Sequence, residues 1–345
     1  MPENNMPAET AGKPTNTRND TPQTTMPNEV AFDSLSGNPT ERNDANCQSD
    51  EQAFTPLLTT RDWNVEWKEL QKMRRRSDNA EHWDKRAATF GTKDAPNPYV
   101  EQFLELAHIR PGESVFDMGC GTGALAVPLG AAGHHVIAAD FSSGMLGVLQ
   151  DELDERGVST VVTKQMSWEE DWRTQGIGSD AVDVCVASRS IAVTDIEEAL
   201  LRLTDVARRR VCITLTTGSS PRTDEHILAD LGLEHALGRD YLYAFNILAA
   251  HGMQPEVSYI RSERADTFES FEDAYENLTK MVSDSTTFAP DAERRAAIGR
   301  LHDWLADNLV ENPRVGVPDR KGVPEKPLRL RRPRVVTWAF IAWNK

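Results

Sequence analysis

Apolar positions along this chain fall into two alternating periods. From Glu113 the run ESVFDMG is short, apolar and bounded by polar residues, which predicts a strand; GALAVPLGAAG follows with helical spacing, ending near Gly133 despite Pro128. HHVIAAD predicts the next strand, FSSGMLGVLQDELDERG a helix capped by Ser142, and VSTVVTKQ a third strand. AVDVCVAS predicts a fourth. Thr194 and Glu197 are spaced as a capping box for a helix whose stripe is Ile196, Ala199, Leu200, Leu203 and Ala207, and RVCITLTT predicts a fifth strand. Such strand and helix alternation calls for a doubly wound, mostly parallel α/β sheet with right-handed crossovers and helices on both faces.

Outside that block the pattern changes. Upstream, Trp63, Trp67, Leu70 and Met73 lie at i, i+4, i+7 and i+10, so order is expected to begin near Arg61 with a helix. A second helix is expected around Trp83 and Phe90, and a third at Val100, Phe103, Leu104 and Ala107, stopped by Pro111 and Gly112. Past Thr223 come a polar stretch, a helix through YLYAFNILAAHG, a strand EVSYIRSE and helical segments from about Phe268 to Leu309. A proline-rich connector then reaches Arg334. The continuous apolar run VVTWAFIAW suits a strand buried on both faces. The expected division is therefore a disordered tail over 1–60, N-terminal helices over 61–110, and a main domain over 111–345 with insertions at about 219–252 and 268–325.

Composition narrows the choice of partners. The hydrophobic fraction is 39% and the mean hydropathy -0.52, low values that the first sixty residues, rich in Thr, Asn, Pro, Glu and Ser, account for. Val30 to Leu35 is a candidate partner-binding motif within that tail. The 38 basic and 54 acidic side chains give a net charge of -16, so nucleic acid is a poor default partner. Two basic clusters, Lys72 to Arg76 and Lys326 to Arg334, read as solvated faces, with an anionic acceptor or RNA as the alternative. Cys47, Cys120, Cys185 and Cys212 form neither a CxxC pair nor a zinc-spaced cluster, so no metal is expected. No apolar stretch approaches membrane-spanning length, and MPENNMPAETAGKP lacks the features of a signal peptide; a cytoplasmic location is expected.

The segment Asp117-Met118-Gly119-Cys120-Gly121-Thr122-Gly123 follows the first apolar strand. Glycines permit backbone turns closed to other residues and let amides approach a ligand, and the following helix offers its positive end. Asp140 ends the next strand, 21 residues after Gly119, where a carboxylate can accept from both hydroxyls of a ribose. Gly119-x-Gly121-x-x-Ala124 also satisfies a dinucleotide fingerprint, so an NAD-dependent oxidoreductase shares this geometry. An acid two residues before the first glycine, a third glycine at 123 and the closing strand from Val335 to Trp343 favour a methyl donor.

Here the chain resembles the class I S-adenosylmethionine-dependent methyltransferases, especially the small-molecule (type 11) branch that includes ubiquinone and menaquinone biosynthetic enzymes. VFDMGCGTG resembles their first motif and VIAADFSSGML their second; the likeness is specific between Val115 and Leu146 and holds in element order from Trp83 to Lys345. It implies a Rossmann-like, seven-stranded sheet with helical insertions forming a cap, and S-adenosylmethionine as cofactor. The implied donor set is Asp117 at the methionine amino group, Gly119, Cys120, Gly121, Thr122 and Gly123 along the ligand, and Asp140 at the ribose, with Phe141, Met145, Ser167, Trp168 and Ser188 around it. The chain departs from the family after the third strand: Met166-Ser167-Trp168-Glu169 stands where many members carry an acid for adenine, leaving Ser167 or Glu169 for that contact and Trp168 to cover the ring.

For the acceptor, Arg189 lies at the carboxyl edge of the fourth strand, where open α/β sheets place ligands. His82 and Trp83 lie in the region that in this family often covers the donor, hence a lid. Tyr243, Asn246 and Tyr275 complete the acceptor candidates, with Tyr241 beside them. The strand end lacks the Asn/Asp-Pro-Pro-Tyr/Phe signature of nucleic-acid amino-methyltransferases. Transfer to a small-molecule acceptor is the first expectation, with an RNA methyltransferase, a non-catalytic donor sensor and an NAD enzyme as alternatives. The sulfonium is itself a strong methyl donor, so no catalytic residue is nominated.

Overall fold

The apolar run at 115 forms β1 (Val115–Met118), which pairs in parallel with β2 (Val136–Asp140) on one side and β4 (Val182–Ser188) on the other, in a computed structural model of the chain. Described residues are 62–74, 80–87, 98–233, 239–264, 266–285, 289–319 and 322–345. Expectations for the 1–60 tail with its motif at Val30 to Leu35, for Arg61, Arg76 and Phe90, and for Cys47, lie outside them. With β3 (Val161–Gln165), β5 (Ala207–Thr216), β6 (Glu256–Arg264) and β10 (Arg334–Asn344), the seven-stranded sheet runs β3-β2-β1-β4-β5-β10-β6. Strands β1 to β5 are parallel, whereas β10 is antiparallel to both β5 and β6.

Position in the sheet explains composition. β10 is interior and nearly continuously buried, as its apolar run requires, while the edge strand β6 buries little beyond Ile260. Side chains alternate between two core layers. Phe116, Met118, Cys185, Ile213 and Ile341 face one layer, where α1 (Trp63–Arg74), α6 (Ile196–Val206) and α8 (Asp240–Ala250) contribute Trp67, Leu200 and Leu248. Val115, Val184, Cys212 and Phe340 face the other, covered by Phe103 of α3 (Pro98–Ala107), Leu129 of α4 (Ala126–Ala131) and Leu149 of α5 (Ser143–Arg156). Ser142 caps α5, its hydroxyl accepting from the Met145 amide at 3.1 Å, and Gly157 closes it in the left-handed conformation.

Three expectations need correction. The cap of α6 is Asp195, which accepts from the Glu198 amide; Thr194 lies one residue outside. Asp195 also receives Asn64 at 2.9 Å and pairs with Lys68, so a tertiary anchor from α1 decides the cap. The stretch 219–252 divides: α7 (Glu225–Asp230) enters a third core with α9 (Phe271–Ser285) and α10 (Asp291–Asn308), while α8 covers the sheet. The connector toward Arg334 carries strands, since β8 (Leu309–Glu311) and β9 (Leu328–Leu330) join β7 (Thr267–Phe268) in an antiparallel three-stranded sheet that buries Phe268 and Leu330 in that third core.

Candidate functional site

The turn after β1 is held across the strand. The amides of Gly119 and Cys120 both donate to the carbonyl of Ala139, at 2.7 and 2.9 Å, so the chain peels away from the sheet between β1 and β2. Gly119 has φ 73° and a Cβ there would lie 2.3 Å from Cβ of Ser190; Gly123 has φ 85° and a Cβ there would lie 2.3 Å from Leu149. Only glycine fits either place. The helix expected directly after Gly123 opens at Ala126, with turn residues between.

Two acids lie under this turn. Asp117 is 1% exposed, and its Oδ2 is buried without a hydrogen-bond partner. Burial, reinforced by the charge of Asp140, pushes its carboxyl up to about 7. Asp140 accepts from the Gly121 amide on Oδ2 and from the Ser142 amide on Oδ1, both at 2.9 Å. Burial raises Asp140 too, and these amides oppose the rise. A carboxylate offers about four acceptor positions, so Asp140 keeps acceptor capacity for an incoming hydroxyl beyond the backbone amides that already act on it. Cys120, Cys185 and Cys212 are buried thiols raised by desolvation, a poor setting for a nucleophile. Phe141 and Thr122 are half-buried beside the acids, and Met145 is buried in the first turn of α5.

Past β3, the Met166 amide donates to Asp140 O at 3.0 Å, which brings the start of the 166–169 segment alongside Asp140. Ser167 is half-buried, its carbonyl accepting from the Trp172 indole at 3.0 Å. Trp168 packs on Trp172 at 5.4 Å, which in turn meets Phe116; Glu169 is exposed.

The end of β4 is the second focus. Ser188 Oγ and Thr214 Oγ1 each bond the Tyr99 hydroxyl at 2.7 Å, and the Arg189 amide donates to Thr214 Oγ1 at 3.0 Å. Arg189 is exposed, has φ 60°, and places its guanidinium 4.3 Å from the Tyr99 ring centre. Ser190 donates to the Met118 carbonyl at 2.7 Å, tying this loop to the glycine turn.

Two N-terminal helices flank these elements. Asp84 of α2 (Ala80–Ala87) accepts from Ser142 Oγ at 2.6 Å and from the Gly144 amide at 2.9 Å, bonds that hold its carboxyl below the usual range. His82 and Trp83, on the same helix, meet edge to face at 5.6 Å. On α1, the Trp67 indole donates to Val193 O at 2.7 Å, in the loop after Arg189.

Other acceptor candidates lie elsewhere. Tyr243 packs against Trp63 and Trp67 and donates to Glu66, Asn246 donates to Leu242 O within its own helix, Tyr241 meets Tyr259, and Tyr275 meets His302 in the third core. The structure thus brings Asp117, the glycine turn, Asp140, Ser188 and Arg189 together, while Tyr275 belongs to the third core and Tyr243 reaches the loop after Arg189 only through Trp67. Within the basic clusters, Arg74 pairs with Asp240, Lys326 with Asp273, and Arg334, 9% exposed, with Asp266 and Asp224, while Lys72, Arg331 and Arg332 are exposed. Sequence reasoning passed over Asp84, Tyr99 and Thr214. Tyr99 lies four residues before Phe103, on the buried stripe of α3, the one available signal; Asp84 and Thr214 carry none.

Among the described residues no cluster of three or more His, Cys, Asp or Glu is placed to hold a metal, and no helix is long and apolar enough to cross a membrane. A methyltransferase-domain family model matches residues 115–210. An uncharacterized protein of Haemophilus influenzae is 30% identical over 270 residues, covering 76% of this chain and 88% of that protein. The ubiquinone biosynthesis O-methyltransferase of Methylococcus capsulatus is 31% identical over 106 residues, where the match spans 31% of this chain and 43% of that enzyme. A solved putative methyltransferase of Bacillus halodurans aligns with a TM-score of 0.42 at 13% identity, over 71% of this chain and 98% of that one.

Proposed function

The chain belongs to the class I S-adenosylmethionine-dependent methyltransferases, and on that premise we propose that it transfers the donor's methyl to a small-molecule acceptor, with the donor seated on the turn from Asp117 to Gly123. Its cofactor is S-adenosylmethionine. The observation that carries the placement is the buried, unpartnered Oδ2 of Asp117. A buried carboxylate without a donor is costly, and the ammonium of a methionine moiety supplies both charge and hydrogen bond.

Around that anchor the residues fit the group. Asp140 keeps acceptor capacity for a ribose hydroxyl, and Gly119, Cys120, Gly121, Thr122 and Gly123 let the backbone lie against the ligand. Phe141, Met145, Ser167 and Trp168 border the base, and Ser188 faces the methionine end from β4. The bound donor supplies an electrophilic methyl. The protein's share is to hold the acceptor about 3 Å from it, in line, and to exclude water, which is worth several kcal/mol without a general base.

Residues 61–110 serve as a lid in this reading, over a transfer domain spanning 111–345. Asp84 ties α2 to the residues after Asp140, and Trp67 ties α1 to the loop after Arg189, so the two helices attach on both sides of the donor turn. Insertions at 219–252 and 268–325 contribute α7, α9 and α10 as a cap. Calorimetry tests the assignment: micromolar binding of S-adenosylmethionine or its demethylated product is expected, without comparable NAD binding. Tight NAD binding with none of the sulfonium ligand overturns it.

A further inference from the structure

The exposed arginine at the end of β4 is held at both its backbone and its guanidinium. A residue with a Cβ at φ 60° occupies a sparsely populated region, and such conformations persist where the surroundings impose them. Here the amide of Arg189 is fixed by Thr214, and the guanidinium lies 4.3 Å over the ring of Tyr99. That ring is in turn immobilised, since its hydroxyl is bonded to both Ser188 and Thr214 at 2.7 Å. The cation therefore rests on a rigid aromatic platform, where stacking orients the planar fork while leaving its edge open to a partner.

Three arginines with little side-chain exposure are matched with acids: Arg74 of α1 with Asp240, Arg210 with Glu256, and Arg334 with Asp224 and Asp266. Arg189 has no carboxylate partner among the described residues, in a chain with 54 acids to offer. It stands at the carboxyl edge of an open α/β sheet, and its neighbour Ser190 touches the donor turn through Met118 O.

Direction within the sheet separates the two substrates. The acids proposed for the donor end β1 and β2, whereas the Tyr99 platform is bonded to the ends of β4 and β5, on the other side of β1 in the order β2-β1-β4-β5. One planar fork matches one carboxylate, with two parallel hydrogen bonds. We infer that the methyl acceptor is an organic acid whose carboxylate is received by Arg189 on its Tyr99 platform. This rests on the donor placement proposed above.

The test loads full-length protein with S-adenosylhomocysteine and titrates it by calorimetry with benzoate and with benzamide, a neutral probe of the same shape. Benzoate should bind at least tenfold more tightly than benzamide. Arg189→Gln should bring that ratio to about one, Arg189→Lys should leave an intermediate preference, and S-adenosylhomocysteine affinity should stay within twofold in both, which also reports folding. A wild-type protein that fails to prefer benzoate, or an Arg189→Gln variant that keeps the preference, overturns the inference. So does an Arg189→Gln variant that loses tenfold for S-adenosylhomocysteine but nothing for its decarboxylated analogue, because the anion is then the donor's own carboxylate. Failure of wild-type protein to bind S-adenosylhomocysteine at all strikes the donor placement instead.

Discussion

Replacing Asp117 by Asn should stabilise the ligand-free protein while weakening its hold on the donor. In the native state burial lifts this carboxyl from 3.8 to about 7. Between those values the native state holds a proton that the unfolded chain has released, so stability falls as pH rises through that window and stays reduced above about 7. At about 1.4 kcal/mol per pH unit the penalty reaches about 4 kcal/mol. The Asn amide introduces a buried donor of its own, costing about 1 to 3 kcal/mol, so the net gain at pH 8 should be about 1 to 3 kcal/mol, or several degrees in Tm. Thermal melts of both proteins without ligand, from pH 4 to pH 8, give the assay. The Asn variant's advantage should be largest at pH 8, shrink below pH 7 and reverse near pH 4, where wild-type Asp117 is neutral. With saturating S-adenosylmethionine the order should invert at pH 8, because loss of a charge-assisted bond of about 1.5 to 3 kcal/mol weakens binding tenfold or more. A variant that melts below wild type at pH 8 without ligand, or that binds the donor unchanged, refutes the reasoning.

Asp140→Ala should weaken donor binding tenfold or more in calorimetry with the fold intact, since its oxygens are proposed to accept the ribose hydroxyls; an unchanged Kd assigns the ribose to another acid. Gly119→Ala should lower Tm and abolish donor binding, because its Cβ would lie 2.3 Å from that of Ser190, and adding Ser190→Gly should recover part of both losses. Deleting residues 1–60 should leave Tm and donor affinity nearly unchanged, whereas deleting 1–92, which removes Trp67 and Asp84, should abolish turnover and most donor affinity while circular dichroism keeps the sheet signal; equal activity of both truncations rejects the lid.

The central sheet was legible because each of its first five strands is a short apolar run closed by a local signal, a glycine, a cap or a turn. The run from Val335 to Trp343 announced burial on both faces, and β10 occupies the interior position that such burial demands. Legibility failed where strands are too short to show a period. β7 has two residues and β8 and β9 three each, and their pairing depends on distant partners, 60 and 62 positions away for Phe268 and Thr267 and 17 to 21 positions away between β8 and β9. At α6 the spacing of Thr194 and Glu197 satisfied a local rule, yet Asp195 won the cap through Asn64, 131 residues distant.

The proposed donor site and the proposed acceptor edge differ in the same way. Asp117 to Gly123 is one contiguous turn whose geometry is imposed by its own glycines, and Asp140 follows at the end of the adjacent strand, so both stand out in a linear reading. The platform under Arg189 is assembled from α3, β4 and β5, with Tyr99 bonded to partners 89 and 115 residues away. Tyr99 looks like one more core aromatic beside Val100 and Phe103, and Thr214 like one more strand threonine. Arg189 was visible as a charge at a strand end, but its left-handed backbone, its stacked guanidinium and its lack of a carboxylate partner among the described residues exist only in three dimensions. Local chemistry thus marks the proposed donor turn, while the part of the site proposed to receive the acceptor is written in long-range contacts, and a substitution such as Thr214→Val, silent in any motif, should loosen Tyr99 and Arg189 together.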